Sequence, residues 1–360
     1  MVSRLLKKQY MKKFYRIAYI SVLGALLPAA LIAGNGERTG TGGATELLIN
    51  PWARSSGFAG MNSALVKGVE SMNLNVGGLS ATKKTEVIFS RTQWLKGTDI
   101  NINSFGIAQR VGGSGTLGVS IFSMDFGDID VTTTDRPDGG IGKFSPQLIN
   151  FAVAYSKDFS NSIHGGFLVR GIQQSIADLR AQGFSLDAGI QYTSGDKDQL
   201  KFGIALRNIG PDLKMSGDGI IARFNQTGVP YEIEAYRKTQ AYQLPSLLNL
   251  GLSYDFYLGK DDSHRLTALG NFTSNSFSND QIGGGLEYGY KKFLMLRGGY
   301  YNEENIGNKD LTPTVYTGFA AGATIEIPLG AKGSTFGIDY SYAPSRVFSG
   351  THSFGARITI

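Results

Sequence analysis

Cysteine is absent from the 360 residues, and histidine is confined to His164, His264 and His352. The first absence excludes a disulfide framework, a thiolate zinc site, a cysteine nucleophile and a lipoprotein anchor. The second leaves too few ligands for a histidine-rich metal site. Long apolar runs are missing after Ile32. The one such stretch, Ile17 to Ile32, is broken by Pro28 and falls short of the ~20 residues a spanning helix needs. Charge of one sign is also scarce once the first 33 residues are set aside. Those residues hold Arg4, Lys7, Lys8, Lys12, Lys13 and Arg16 and no acid, so the 35 basic residues of the chain less these six leave 29, against 29 acidic. The formal charge of +6 therefore belongs to the leading segment, and no nucleic-acid partner is expected. The spacings G-x-S-x-G, H-E-x-x-H and the P-loop do not occur, so no catalytic residue, cofactor or enzymatic activity is expected. Asp261-Asp262 and the acids between Asp125 and Asp130 read as turn and loop residues rather than cation ligands, and no metal is expected.

Glycine is plentiful, with 49 residues, but follows no three-residue period, which excludes collagen. What fills the chain from about Lys84 to Ile360 is alternation. Leu248, Leu250, Leu252, Tyr254 and Phe256 alternate with Asn249, Gly251, Ser253 and Asp255. Phe336, Ile338, Tyr340 and Tyr342 alternate with Gly337, Asp339 and Ser341, and Phe354, Ala356, Ile358 and Ile360 with Ser353, Gly355, Arg357 and Thr359. Period 2 is the strand period. About fourteen such segments follow one another, near 84–95, 101–110, 115–124, 147–158, 163–176, 182–193, 199–208, 247–256, 264–274, 280–289, 292–301, 315–327, 333–343 and 350–360. The long connections (125–146, 209–246 and 302–314) are all odd-numbered, while the even ones are tight turns.

Sorted loops of this kind mark an outer-membrane barrel, with the long ones outside the cell and both termini periplasmic. Tyr155, Tyr192, Tyr254, Tyr288 and Tyr290 fall near one end of their strands, and Tyr300, Tyr340 and Tyr342 near the other, as two interfacial belts require. A soluble β-sandwich would alternate too, without the sorted loops or the belts. The expected fold is thus all-β: a closed antiparallel transmembrane barrel of about 14 strands over 84–360 whose outer partner is membrane lipid. Lys12-Lys13 and the apolar stretch after them have the order of a secretory signal peptide, assigned to 1–33. Residues 34–83 lack the strand rhythm yet are too apolar for a free tail, so a plug inside the barrel is expected.

If the apolar parity meets lipid, Asp187, Arg207, Glu287, Arg297, Asp339 and Arg357 face the lumen. Outward charges there would cost roughly 2–4 kcal/mol near the midplane. The last four lie on the final five strands and are expected to form one network that fills the lumen and anchors the plug. Tyr231, Tyr236 and Tyr242, set among charges in the connection 209–246, are the candidate partner-binding residues, because aromatics mixed with charge suit protein recognition.

Gly43-Ala44-Thr45-Glu46-Leu47-Leu48-Ile49-Asn50-Pro51-Trp52-Ala53-Arg54-Ser55-Ser56-Gly57 resembles the opening of the PorV/PorQ family, outer-membrane proteins of the type IX secretion system whose barrels are similar to FadL-type transporters. Thr85-Glu86-Val87, Phe126-Gly127-Asp128-Ile129, Leu206-Arg207-Asn208-Ile209-Gly210, Gly285-Leu286-Glu287-Tyr288, Leu296-Arg297-Gly298-Gly299-Tyr300, Asp339-Tyr340-Ser341-Tyr342 and Thr351-His352-Ser353-Phe354 extend the likeness along the chain. Asn75-Val76-Gly77-Gly78-Leu79 departs from the family's usual Asn-Pro-Ala-Gly-Leu. The resemblance implies a secretion component that binds substrates through their C-terminal signal domains, or holds translocon and attachment-complex proteins, by its extracellular loops. The alternative is a FadL-type channel for hydrophobic small molecules such as fatty acids.

Overall fold

The computed structural model describes residues 36–225, 231–259, 261–312, 314–330 and 333–360; the expected signal peptide, 1–33, lies outside them. Fourteen antiparallel strands close into one barrel. They are β1 (Thr85–Gln93), β2 (Asn101–Val111), β3 (Gly115–Asp125), β4 (Gln147–Asp158), β5 (Ile163–Ile176), β6 (Leu179–Ser194), β7 (Leu200–Ile209), β8 (Leu247–Leu258), β9 (His264–Asn275), β10 (Gln281–Tyr290), β11 (Leu294–Glu303), β12 (Phe319–Leu329), β13 (Ser334–Ala343) and β14 (Thr351–Thr359). Each pairs with its neighbours in sequence, and β1 closes on β14 from Glu86↔Thr359 to Gln93↔His352. No backbone edge remains, as hydrocarbon demands, since an unpaired amide there costs several kcal/mol.

Every alternating segment of the sequence is a strand. Two ends differ. β12 starts at Phe319 rather than 315, because Arg346 draws the carbonyl of Tyr316 (2.7 Å) into the loop. β6 starts at Leu179, where it pairs with Ile176 across a two-residue turn. At 14 and 16 residues, β5 and β6 are the longest strands.

Burial follows the parity. Leu252 is 53% exposed and its neighbour Ser253 1%, so the apolar side chains form an outer skin and the small and polar ones line the inside. At the short-turn end, Tyr155 packs on Phe167 at 6.0 Å and Tyr254 on Phe256 at 4.7 Å, while Tyr288 meets His264 Nδ1 at 2.7 Å. At the long-connection end, Tyr300 stacks on Phe319 at 4.4 Å and Tyr340 meets His352 Nδ1 at 2.9 Å. Such amphipathic pairs suit the water–lipid boundary.

Residues 44–80 run inside the barrel as short helical turns, among them Thr45–Leu48, Ala53–Ser56, Gly68–Glu70, Ser71–Leu74 and most of Val76–Ala81. Trp52, Val69, Met72, Val76 and Leu79 pack there against Ile88, Ala108, Ala152, Ala154 and Leu168 of the wall. Small wall residues allow the approach. A Cβ at Gly299 would lie 2.3 Å from the Phe58 carbonyl oxygen, so only glycine lets the inner segment lie on β11. The Asn75–Leu79 stretch is held to β6, where Asn75 Nδ2 donates to the Ile190 carbonyl at 3.0 Å.

One irregularity interrupts the wall. Between β6 and β7 the register steps from Leu186↔Ile209 to Ala188↔Leu206, a bulge that leaves Arg207 and Asn208 together opposite Asp187. Asn208 takes φ +59°, and its backbone N–H donates to Asp187 Oδ1 at 2.6 Å. Asn208 is consequently buried inside beside Arg207, which follows the alternation of the strand, while Ile209 returns to the outer face.

Candidate functional site

The six expected lumen charges all lie on the inner face and are buried. They divide into separate groups. Asp187 accepts from Arg170 Nη2 at 3.0 Å. Arg207 donates to the Leu47 carbonyl at 3.3 Å and leaves its Nε without a partner. Glu287 is shared between Arg297 Nε at 3.0 Å and Arg265. Arg297 Nη2 goes on to Thr324 Oγ1 at 2.5 Å, and that hydroxyl donates to Asp339. Arg357 stands apart from this chain: it pairs with Glu326 at 3.1 Å. The single four-residue network expected on the last strands is therefore two. Arg357 faces a carboxylate across β13 before it can reach Asp339.

The inner segment completes the first group. Arg297 Nη1 donates to the Arg54 carbonyl at 3.4 Å. Burial opposes the Arg54 charge, but the carboxylates around it, Glu287 and Asp339 foremost, hold its pKa above the ordinary value. Glu70 accepts from the backbone N–H of Ser55 at 3.1 Å, and burial pushes its pKa up. Glu46 accepts from Gln174 Nε2 at 2.8 and 3.0 Å, and burial raises its pKa too. Arg170, Lys201, Asp255 and Gln174 sit on the inward parity and could have been read from it. The inner-segment partners of Arg170 and Gln174, Met72 and Glu46, could not, because short helical turns carry no long period.

Two of the three candidate tyrosines stand on the surface: Tyr231 is 67% exposed and Tyr236 74%. Tyr242 turns inward. It packs against Ala44, Leu47, Ile172, Leu213 and Leu244, and its hydroxyl donates to Gln174 Oε1 at 2.6 Å. It is a fastening of the inner segment, not an exposed contact residue, because the backbone pairing of Leu213 with Tyr242 folds this stretch over the barrel mouth.

Ser80, His164 and Asp158 also come together, with Ser80 Oγ at 3.3 Å and Asp158 Oδ1 at 2.6 Å from the same ring nitrogen, Nδ1. A nucleophile relay needs the two partners on opposite ring nitrogens. This cluster instead ties Ser80 to the wall, with Arg110 bridging the Ser80 carbonyl and Asp158 at 2.7 Å each.

Above the inner segment lies a cavity of about 610 Å³. Ile49, Met61 and Leu74 form its floor, and Trp94, Phe126 and Tyr316 its upper wall. Every lining strand residue lies toward the long-connection end, so the cavity opens among those connections. Trp94 packs edge-on against Tyr316 at 5.6 Å, and Arg346 fastens the 304–318 connection beside it through the carbonyls of Tyr316 and Thr314, at 2.7 and 3.3 Å.

No protein-family model matches this sequence, and no curated protein matches it. Solved structures are similar in fold. The toluene transporter TodX of Pseudomonas putida superposes with a TM-score of 0.52 at 13% identity, covering 86% of this chain and 97% of that one. A Pseudomonas aeruginosa FadL homologue gives a TM-score of 0.50 at 10% identity, covering 85% of this chain and 96% of that one. The barrel is FadL-like, and the proteins it resembles are transport channels of the outer membrane rather than enzymes.

Proposed function

We propose that this chain is an outer-membrane barrel that takes up hydrophobic small molecules from the side of its long connections. The cavity carries the reading. Its volume of about 610 Å³ is that of a small-molecule site, ~300–1,000 Å³, and it runs from the connections down to the inner segment, the path an entering apolar solute would take. The outer skin supports placement in a bilayer, and the fold is that of hydrocarbon channels such as TodX. Apolar solutes leave water readily for such a pocket, at about 25 cal/mol per Å² of apolar surface buried. Orientation with the long connections outside the cell and the termini in the periplasm belongs to this proposal.

The test is uptake of labelled dodecanoate or toluene into proteoliposomes. Leu74→Trp, which fills the cavity floor, should cut uptake about tenfold. Uptake equal to that of protein-free liposomes would overturn the reading.

A second reading, a type IX secretion component docking secreted substrates or translocon partners, draws on one observation. Tyr231 and Tyr236, on the longest connection, are 67% and 74% exposed, and Val347, on the 344–350 connection at the same end, is 74% exposed, an apolar surface at the connection tips. Affinity purification from solubilised membranes, with and without residues 212–243, separates the two: specific recovery of proteins bearing C-terminal signal domains, lost on deletion, supports docking.

A further inference from the structure

The polar side of the cavity is ordered. Asn249, Thr273, Gln281 and Glu303 stand on four successive strands, β8 to β11, and are direct partners in register: Asn249↔Thr273, Thr273↔Gln281, Gln281↔Glu303. All four line the cavity. Three inter-strand spacings of about 4.8 Å place the ends of this row roughly 14 Å apart along the wall. Across the cavity stand the apolar Trp94, Met124, Phe126 and Leu148.

The row also has a direction. Ser63 donates to Asn271 Oδ1, Asn271 Nδ2 donates to Thr273 Oγ1 at 2.9 Å, and Thr273 donates to Asn249 Oδ1 at 2.7 Å. The chain of donations thus ends at Asn249, whose Nδ2 is a donor with no acceptor. The unpartnered Nε of Arg207, two residues along the adjacent strand from the partner of Asn249, and the unpartnered Nδ2 of Asn50 line the same cavity. At the other end Gln281 donates to Glu303 Oε2 at 2.9 Å and leaves Oε1 without a partner. Asn249 and Glu303 are each 4% exposed. Buried polar atoms are normally satisfied, and leaving one bare costs ~1–3 kcal/mol. One end of the row lacks acceptors and the other lacks a donor.

We infer that the cavity selects a two-ended amphiphile: an apolar body carrying a carboxylate or carbonyl oxygen for Asn249, Arg207 and Asn50, and a hydroxyl or amine for Glu303 about 14 Å away. This rests on the uptake reading and narrows its substrate class. A plain hydrocarbon satisfies neither end, and a molecule with one terminal carboxylate satisfies only the first. A second carboxylate at the Glu303 end is rejected by like charge.

The experiment measures binding to the full barrel in lipid nanodiscs, read by quenching of tryptophan fluorescence, since Trp94 lines the cavity. The probes are ω-hydroxydodecanoate, dodecanoate and dodecanedioate. Wild type should bind the hydroxy acid at least tenfold more tightly than dodecanoate, the effect of one hydrogen bond to a charged group, and the diacid most weakly. Glu303→Leu should abolish the preference between hydroxy acid and dodecanoate and relieve the penalty on the diacid. Asn249→Leu should weaken both by a similar factor. The heat-dependent shift in gel mobility checks that each variant is folded. Equal binding of the hydroxy acid and dodecanoate by wild type overturns the two-ended site and leaves uptake standing. Failure of all three probes to bind overturns both.

Discussion

The two faces of this barrel are built by the same residues' neighbours, yet they obey different solvents. Outside, Leu252, Leu286 and Ile338 remain half-exposed on the apolar skin, where shape hardly matters. Inside, Glu287 is 1% exposed and has two arginines. A lipid-facing position asks only for apolar character. A lumen-facing position asks for a specific counterpart, and that is why removing one inner charge should cost more than adding one outer charge.

The largest expected effect follows. Glu287→Ala leaves Arg297 and Arg265 without their shared carboxylate, and breaking a buried pair costs ~3–5 kcal/mol; urea unfolding in lipid vesicles measures it. Leu252→Arg on the outer face should cost less, ~2–4 kcal/mol, by the same assay. If the outer substitution proves the costlier, the contrast drawn between the faces is wrong.

Two tyrosines sharpen the comparison at smaller scale. Tyr242→Phe removes the hydrogen bond to Gln174 and should cost about 1 kcal/mol. Tyr236→Phe, on the surface of the same connection, should stay within ~0.5 kcal/mol. The smallest effect concerns Glu46, whose pKa burial raises. An acid with a raised folded-state pKa holds its proton longer when folded, so its stabilising influence is greatest at low pH and falls as pH rises from the unfolded value, ~4.3, through the folded one. Glu46→Gln should therefore be more stable than wild type at neutral pH, with the difference vanishing in acid; unfolding midpoints across pH follow it.

The strands were legible because lipid imposes one rule on every outward position, and a two-residue period records it. That rule also placed Asp187, Glu287, Arg297, Asp339 and Arg357 inward. Arg207 followed the same parity with Lys201, Gly203 and Ala205; what parity misses is Asn208, which the bulge turns inward beside it. The partners within the lumen were hidden because contacts such as Glu46 with Gln174 join positions 128 residues apart through a segment without periodicity. Tyr242 shows the opposite case: an aromatic among charges reads as surface, and only the fold of its connection over the mouth turns it inward and partly covers it. The cavity was invisible for the same reason, as its floor and its walls come from parts of the chain that share no pattern.

The β5–β6 hairpin has a practical consequence. Crossing a bilayer takes about 9–11 tilted residues, whereas these strands run 14 and 16, so their tip stands proud of the headgroups like a mast. On the orientation proposed above, an epitope inserted between Ala177 and Asp178 would fly above the cell surface while the spanning part of the hairpin stays intact. Antibody staining of unbroken cells should then light up, reading the barrel's polarity directly from whole bacteria.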